Sequence, residues 1–139
     1  FAATAARAFS NWDRIRDFNG LATWHSGLVA DSEIEDGKAG DQVGAVRSFH
    51  LTDGTHIRER LLSHSDAYRM YSYNFEKTPF DVDNYHATLR VRPVTDGNKS
   101  FVEWSTTYDC DRDKQDHWKD FFANQVFQGG FDALKAHFG

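Results

Sequence analysis

Ala45-Val46-Arg47-Ser48-Phe49-His50-Leu51-Thr52-Asp53-Gly54-Thr55-His56-Ile57-Arg58-Glu59-Arg60-Leu61 is the stretch on which the fold turns. Two runs of alternating apolar and polar residues flank Thr52-Asp53-Gly54, so the segment reads as a β-hairpin. A two-residue Asp-Gly turn would pair His50 with Ile57 and Ser48 with Glu59. A three-residue loop with Gly54 left-handed would instead pair Leu51 with Thr55, Phe49 with Ile57, Arg47 with Glu59 and Ala45 with Leu61. The second register gathers the apolar residues on one face, and the buried face fixes register, so it is the one expected. It sets Arg47 opposite Glu59 among Ala45, Phe49, Ile57 and Leu61. Two charges on a core-facing surface are costly unless paired or wetted. A buried ion pair that merely tolerates its position and a pair that faces a ligand cavity both satisfy this pattern.

The period of two continues on either side. Strands are expected near 28–36, 43–51, 55–64, 69–77, 83–94 and 100–110, punctuated by Asp36-Gly37, Gly40-Asp41, Asp53-Gly54, Ser65-Asp66, Thr78-Pro79 and Asp96-Gly97-Asn98. Connections this short give an antiparallel meander. Along 83–94, Tyr85, Ala87, Leu89 and Val91 form the apolar face, so the Tyr85 hydroxyl points inward and needs a partner. Tyr71, Tyr73 and Phe75 share one face of their strand. Val102, Trp104, Thr106 and Tyr108 share one face of the last, which places Glu103 outside.

Helical spacing brackets the strands. Ala5, Ala8, Phe9, Trp12 and Ile15 predict a helix over 5–18, with Thr4 as N-cap and Asn19-Gly20 as its end. A second short helix over 21–27 carries Trp24. Residues 112–138 return to the pattern through Trp118, Phe121, Phe122, Val126, Phe127, Phe131, Leu134 and Phe138, with acidic residues at the start and Lys135 and His137 at the end. The order of two short helices, a run of strands and one long helix is α+β, the long helix lying across one face of a curved sheet. Gly129-Gly130 in that helix predicts a kink or close packing, and the choice of glycine over alanine favours an enclosed space. The walls of that space are expected to include Trp24, Phe49, Ile57, Tyr73, Trp104, Phe122 and Val126.

Composition sets the bounds. The 139 residues fit a single domain, 1–139. A hydrophobic fraction of 40% with 27% charged residues is globular, and 15% aromatic residues must pack in one core or line a cavity. The net charge of −5, without a basic cluster, argues against nucleic acid as a partner. No apolar run approaches the ~20 residues of a membrane span, and no signal-peptide pattern opens the chain. The lone Cys110 excludes an internal disulfide and suits a reducing, cytoplasmic setting; Asp109, Asp111 and Asp113 around it disfavour a nucleophilic thiolate. The seven histidines show no metal-ligand spacing, so no metal and no cofactor are expected. His25, beside Trp24, is the histidine expected near a cavity mouth.

Eight segments then stand in a familiar order: Trp12; Asp17-Phe18; Trp24; Gly40-Asp41-Gln42-Val43-Gly44-Ala45-Val46-Arg47; Glu59-Arg60-Leu61-Leu62; Tyr85-His86-Ala87-Thr88-Leu89-Arg90-Val91; Val102-Glu103-Trp104; and Phe131-Asp132-Ala133-Leu134. Across nearly the whole chain this resembles the SRPBCC (START/Bet v 1-like) superfamily, and within it the polyketide cyclase/dehydratase-like branch that also holds lachrymatory factor synthase and the abscisic acid receptors. The resemblance implies a helix-grip fold, a seven-stranded antiparallel sheet around a long C-terminal helix with an apolar cavity between them. The seventh strand would fall on Phe1 to Thr4. By the lachrymatory factor synthase pattern, an Arg, a Glu and a Tyr are the catalytic polar residues, and they fall on Arg47, Glu59 and Tyr85. One departure is that Trp24-His25 is followed by Ser26 where the family often has proline, which alters the expected cavity entrance.

Two readings follow. In the first, the protein is a lyase or isomerase that performs cofactor-free general acid/base chemistry (dehydration, cyclisation or isomerisation) on a small hydrophobic oxygen-bearing molecule: Arg47 holds a developing anion, Glu59 moves the proton and Tyr85 donates a hydrogen bond. In the second, the same cavity carries or senses a hydrophobic ligand, with Arg47 anchoring a carboxylate. Fold alone does not choose between them, and oligomeric state is left open.

Overall fold

In a computed structural model that describes residues 2–4, 8–94 and 99–138, seven antiparallel strands form one sheet in the order β1-β7-β6-β5-β4-β3-β2. The strands are β1 (Ala2–Thr4), β2 (Val29–Ile34), β3 (Val46–Leu51), β4 (His56–Ser65), β5 (Met70–Lys77), β6 (Asp83–Val94) and β7 (Lys99–Asp109). Helices α1 (Ala8–Ile15) and α2 (Leu21–Trp24) precede β2. The C-terminal helix runs as α3 (Gln115–Asp120), a π-helical stretch (Phe121–Gln128) and α4 (Gly129–Phe138).

The deciding hairpin adopts the three-residue loop. Gly54 has φ +91°, Leu51 N donates to Thr55 O at 2.8 Å, and Arg47 lies opposite Glu59 and Phe49 opposite Ile57. Ala45 and Leu61 continue the pairing, Leu61 N donating to Ala45 O at 2.8 Å. The seventh strand pairs Ala2–Thr4 with β7. At the other end of β7 a bulge sits opposite Tyr108: Asp83 pairs with Asp109 and His86 with Thr107, so Asn84 and Tyr85 share one partner position. Asn84 takes φ +53° there, and its Nδ2 donates to Asp109 Oδ2 at 2.8 Å. Asparagine tolerates this conformation better than most residues, and the bulge aims Tyr85 at the interior.

The helical ends differ from expectation. Residues 5–7 lie outside the described residues, and Thr4 belongs to β1 rather than capping α1. α1 stops at Ile15, and a 3₁₀ turn follows over Phe18–Gly20. The cause is Asp17, whose Oδ1 accepts from Asn19 N at 3.0 Å. Such side-chain bonding competes with helix continuation. Gly20, at φ −83°, is not a left-handed cap, and α2 ends at Trp24, short of Gly27. Asp66 fixes α1 to the β4–β5 turn, accepting from Trp12 Nε1 at 2.7 Å and from Arg16 Nε at 2.9 Å. Arg16 and then Trp12 hold the Asp66 carboxyl well below the ordinary carboxylate range.

The C-terminal helix closes the concave face. Phe127 stacks on Trp104 with ring centroids 4.6 Å apart, and Phe122 meets Tyr85 at 5.1 Å. Of Gly129-Gly130, the second marks close packing. A Cβ on Gly130 would stand 2.7 Å from Trp104 Cζ3, 3.1 Å from His25 Cδ2 and 3.1 Å from Trp24 Cζ3. Alanine at Gly130 would force the Trp104 ring or the helix to shift.

Candidate active site

Arg47 and Glu59 project from adjacent strands into the interior, 2% and 4% exposed. The guanidinium Nη2 stands 2.6 Å from Glu59 Oε1, and Nε donates to the same oxygen at 2.8 Å. Nη1 makes a long 3.5 Å contact to Phe18 O, and the Tyr71 hydroxyl also lies against the guanidinium. Three rings sandwich the cation: Arg47 Cζ lies 3.9 Å from the Phe18 ring centre, 4.9 Å from that of Tyr73 and 5.6 Å from that of Phe49. Aromatic faces stabilise a desolvated guanidinium. Phe18 is held there by its N–H, which donates to Gly40 O at 2.9 Å.

Burial raises the proton affinity of Glu59, and the Arg47 charge and hydrogen bond oppose the rise. Arginine does not deprotonate in proteins. A neutral Glu59 would therefore strand Arg47 as a lone buried charge, so the resting state is the ion pair.

Tyr85, Tyr73 and Trp104 form the facing wall. Trp104 Nε1 donates to Tyr73 Oη at 2.9 Å. Thr106 and Tyr73 are the hydroxyls beside the Tyr85 phenol, whose pKa is raised by burial and by the Glu59 charge. Tyr73 is pushed well above the ordinary phenol value, mainly by burial.

These groups border a cavity of about 40 Å³. Arg47, Glu59, Tyr85, Phe49, Ile57, Tyr73, Trp104, Phe122 and Val126 all line it. Trp24 does not: it packs behind Trp104, ring centroids 5.7 Å apart. α2 turns Leu21 and His25, four residues apart, towards the cavity, and Trp24 sits about 100° around the helix from His25. The apolar cavity implied by the family resemblance is present but small, the rings around it taking most of the space between sheet and helix.

His25 is an inner wall residue, 2% exposed, rather than one at a mouth. Its Nε2 lies 2.7 Å from Val126 O in the π-helical stretch. A carbonyl only accepts, so Nε2 carries the hydrogen, and Nδ1 is buried without a partner. Burial lowers the His25 pKa, keeping the ring neutral. Phe80 and Phe121 also line the cavity and were not foreseen. Phe80 sits in the β5–β6 connection, and the signal available was an aromatic residue directly after Thr78-Pro79. Elsewhere, Asp41, His64 and Asp66 bring ligand atoms within 4.8 Å of one another. Arg16 already bonds both carboxylates, at 3.0 and 2.9 Å, so a cation there would have to displace a guanidinium. No helix among the described residues is long and apolar enough to cross a membrane.

A family model described as polyketide cyclase/dehydrase and lipid transport matches residues 1–139. Solved structures resemble the whole chain. An uncharacterised Bacillus thuringiensis protein is 30% identical with a TM-score of 0.84, covering 98% of this chain and 93% of its own. Protein XoxI from Bacillus cereus is also 30% identical, with a TM-score of 0.85 over 99% and 91%. A Thermobifida fusca protein reaches a TM-score of 0.88 at 27% identity, over 99% and 89%. No curated protein matches the chain.

Proposed function

The chain belongs to the polyketide cyclase/dehydrase and lipid transport family, and from that premise we propose that it is a cofactor-independent enzyme acting by general acid/base chemistry on a small hydrophobic oxygen-bearing substrate. One observation carries the reading: a buried Arg47–Glu59 pair borders the internal cavity together with Tyr85. Glu59 is the base. Both Arg47 contacts fall on Oε1, so Oε2 is the oxygen that takes a proton from a carbon next to the substrate carbonyl. The C–H electron pair forms a C=C bond as the carbonyl π pair moves onto the oxygen, where the Arg47 guanidinium and the Tyr85 hydroxyl stabilise the enolate. In a substrate with a C=C one carbon further along, reprotonation of the resulting dienolate by Glu59 at the far end of that double bond completes an isomerisation with no net change in atoms. Dehydration and cyclisation begin with the same abstraction. The high proton affinity that burial gives Glu59 suits it to this role, because a base is more effective as its pKa nears the working pH. A raised Tyr85 pKa makes the phenol a hydrogen-bond donor rather than a proton source. The likeness of these three residues to the lachrymatory factor synthase pattern belongs to the same proposal.

The test begins with native mass spectrometry of the purified protein to identify a co-purifying molecule, followed by turnover assays on it and its oxygenated analogues. Glu59→Gln is expected to lower turnover by 10²-fold or more while binding of an uncharged ligand stays within a few-fold. Equal turnover in the variant would remove Glu59 from the mechanism. Ligand retained by both proteins with no conversion by either would favour the carrier reading, for which the lipid-transport half of the family description speaks.

A further inference from the structure

Five ionisable side chains face the cavity among the described residues: His25 at the end of α2, Arg47 from β3, Glu59 from β4, Tyr73 from β5 and Tyr85 from β6. Tyr71, also from β5, approaches Arg47 from outside the lining. Burial keeps the imidazole uncharged and the three phenols protonated. The formal charge of the cavity is therefore that of Arg47 plus that of Glu59, which is zero. In a low-dielectric interior a third charge has no counterion, and the hydration it loses is not replaced. A carboxylate ligand could not use Arg47 as an anchor without competing for it. Nε and Nη2 already meet Glu59 Oε1, and the incoming anion would lie against the Glu59 charge.

We infer that the cavity selects uncharged ligands carrying an oxygen acceptor, and that Glu59 is the residue that excludes carboxylates. This rests on the reading of the cavity as a small-molecule site and narrows its ligand class to neutral ketones, aldehydes, amides and alcohols. A neutral acceptor oxygen brings no charge against the ion pair and meets the Arg47 guanidinium and the Tyr85 hydroxyl as donors on the lining, and the aromatic walls suit a flat apolar body. The inference replaces the expectation that Arg47 anchors a ligand carboxylate.

Benzamide and benzoate test it, since they share size and shape and differ in charge. Binding is followed by calorimetry and by the Trp104 indole N–H signal in NMR at pH 8, well above the pKa of benzoic acid, so that benzoate is offered as the anion. Benzamide is expected to bind at least tenfold more tightly than benzoate. In Glu59→Gln, which leaves Arg47 uncompensated, benzoate is expected to gain at least tenfold and overtake benzamide. Wild-type protein that binds benzoate as well as benzamide overturns the exclusion and leaves the small-molecule site standing. Binding of neither up to solubility overturns the site and the exclusion together. The wild-type comparison decides even where the variant does not fold.

Discussion

Arg47 and Glu59 each occupy a position that would be untenable without the other. Removing one partner of a buried pair leaves an uncompensated charge, whereas replacing both with apolar side chains of similar volume is often neutral or stabilising. Arg47→Met and Glu59→Leu are thus expected to destabilise by about 3–5 kcal/mol each, and the double variant to return to within about 1 kcal/mol of wild type. Urea denaturation of the four proteins measures this, and additive losses in the double variant would show that the pair is not energetically coupled. The placement of these residues was legible because register in a hairpin follows turn chemistry and the buried face; Asp53-Gly54 and the apolar alternation around it contain both. Trp24 was not legible for the opposite reason. α2 has only four residues, too few for periodicity to fix its phase, so an indole that packs behind the wall could not be told from an imidazole that forms it.

At the scale of elements, the strands were readable to within a few residues because alternation and turn residues mark both their faces and their ends. Helix ends were less so: Asp17 ends α1 through a local bond to Asn19 N that apolar spacing does not register, and Gly40 holds Phe18 through a contact that only the folded chain brings together. The π-helical winding of Phe121–Gln128 leaves no trace in a pattern of apolar spacing. Gly129-Gly130 show how one dipeptide holds two different constraints. A Cβ at Gly129 meets His25 Cε1 at 3.4 Å, ordinary contact, while one at Gly130 meets Trp104 Cζ3 at 2.7 Å with His25 and Trp24 also pressing on it. Gly129→Ala is expected to stabilise by up to about 1 kcal/mol through helix propensity. Gly130→Ala is expected to destabilise by about 1–3 kcal/mol, since overpacking outweighs the same propensity gain. Opposite shifts in denaturation midpoint would bear this out, and equal shifts would mean that Gly130 is not a packing glycine.

For the whole molecule the question is how a fold whose interior holds about 40 Å³ of free space admits a ligand, when sites for small molecules usually span 300–1,000 Å³. The aromatic-rich composition left core and cavity equally open, and the structure resolves it: the rings themselves fill the grip between sheet and helix. Further space for a ligand comes from moving rings, and Phe122 is one of those on the lining that can yield it. It is 2% exposed and lies between Tyr85 and Tyr108, each 5.1 Å away centre to centre, with Trp118 stacked at 5.9 Å. Phe122→Ala should cost about 3–5 kcal/mol through lost burial and the void left behind. That void adjoins the existing cavity and is apolar, so it should take up benzene. Benzene at 100 times its dissociation constant would return about 2.7 kcal/mol, raising the melting temperature of Phe122→Ala well above any shift it produces in wild type. Loss of stability without rescue by benzene would mean that the surrounding rings collapse into the gap. In that case ligand admission through displacement of Phe122 would have no structural basis.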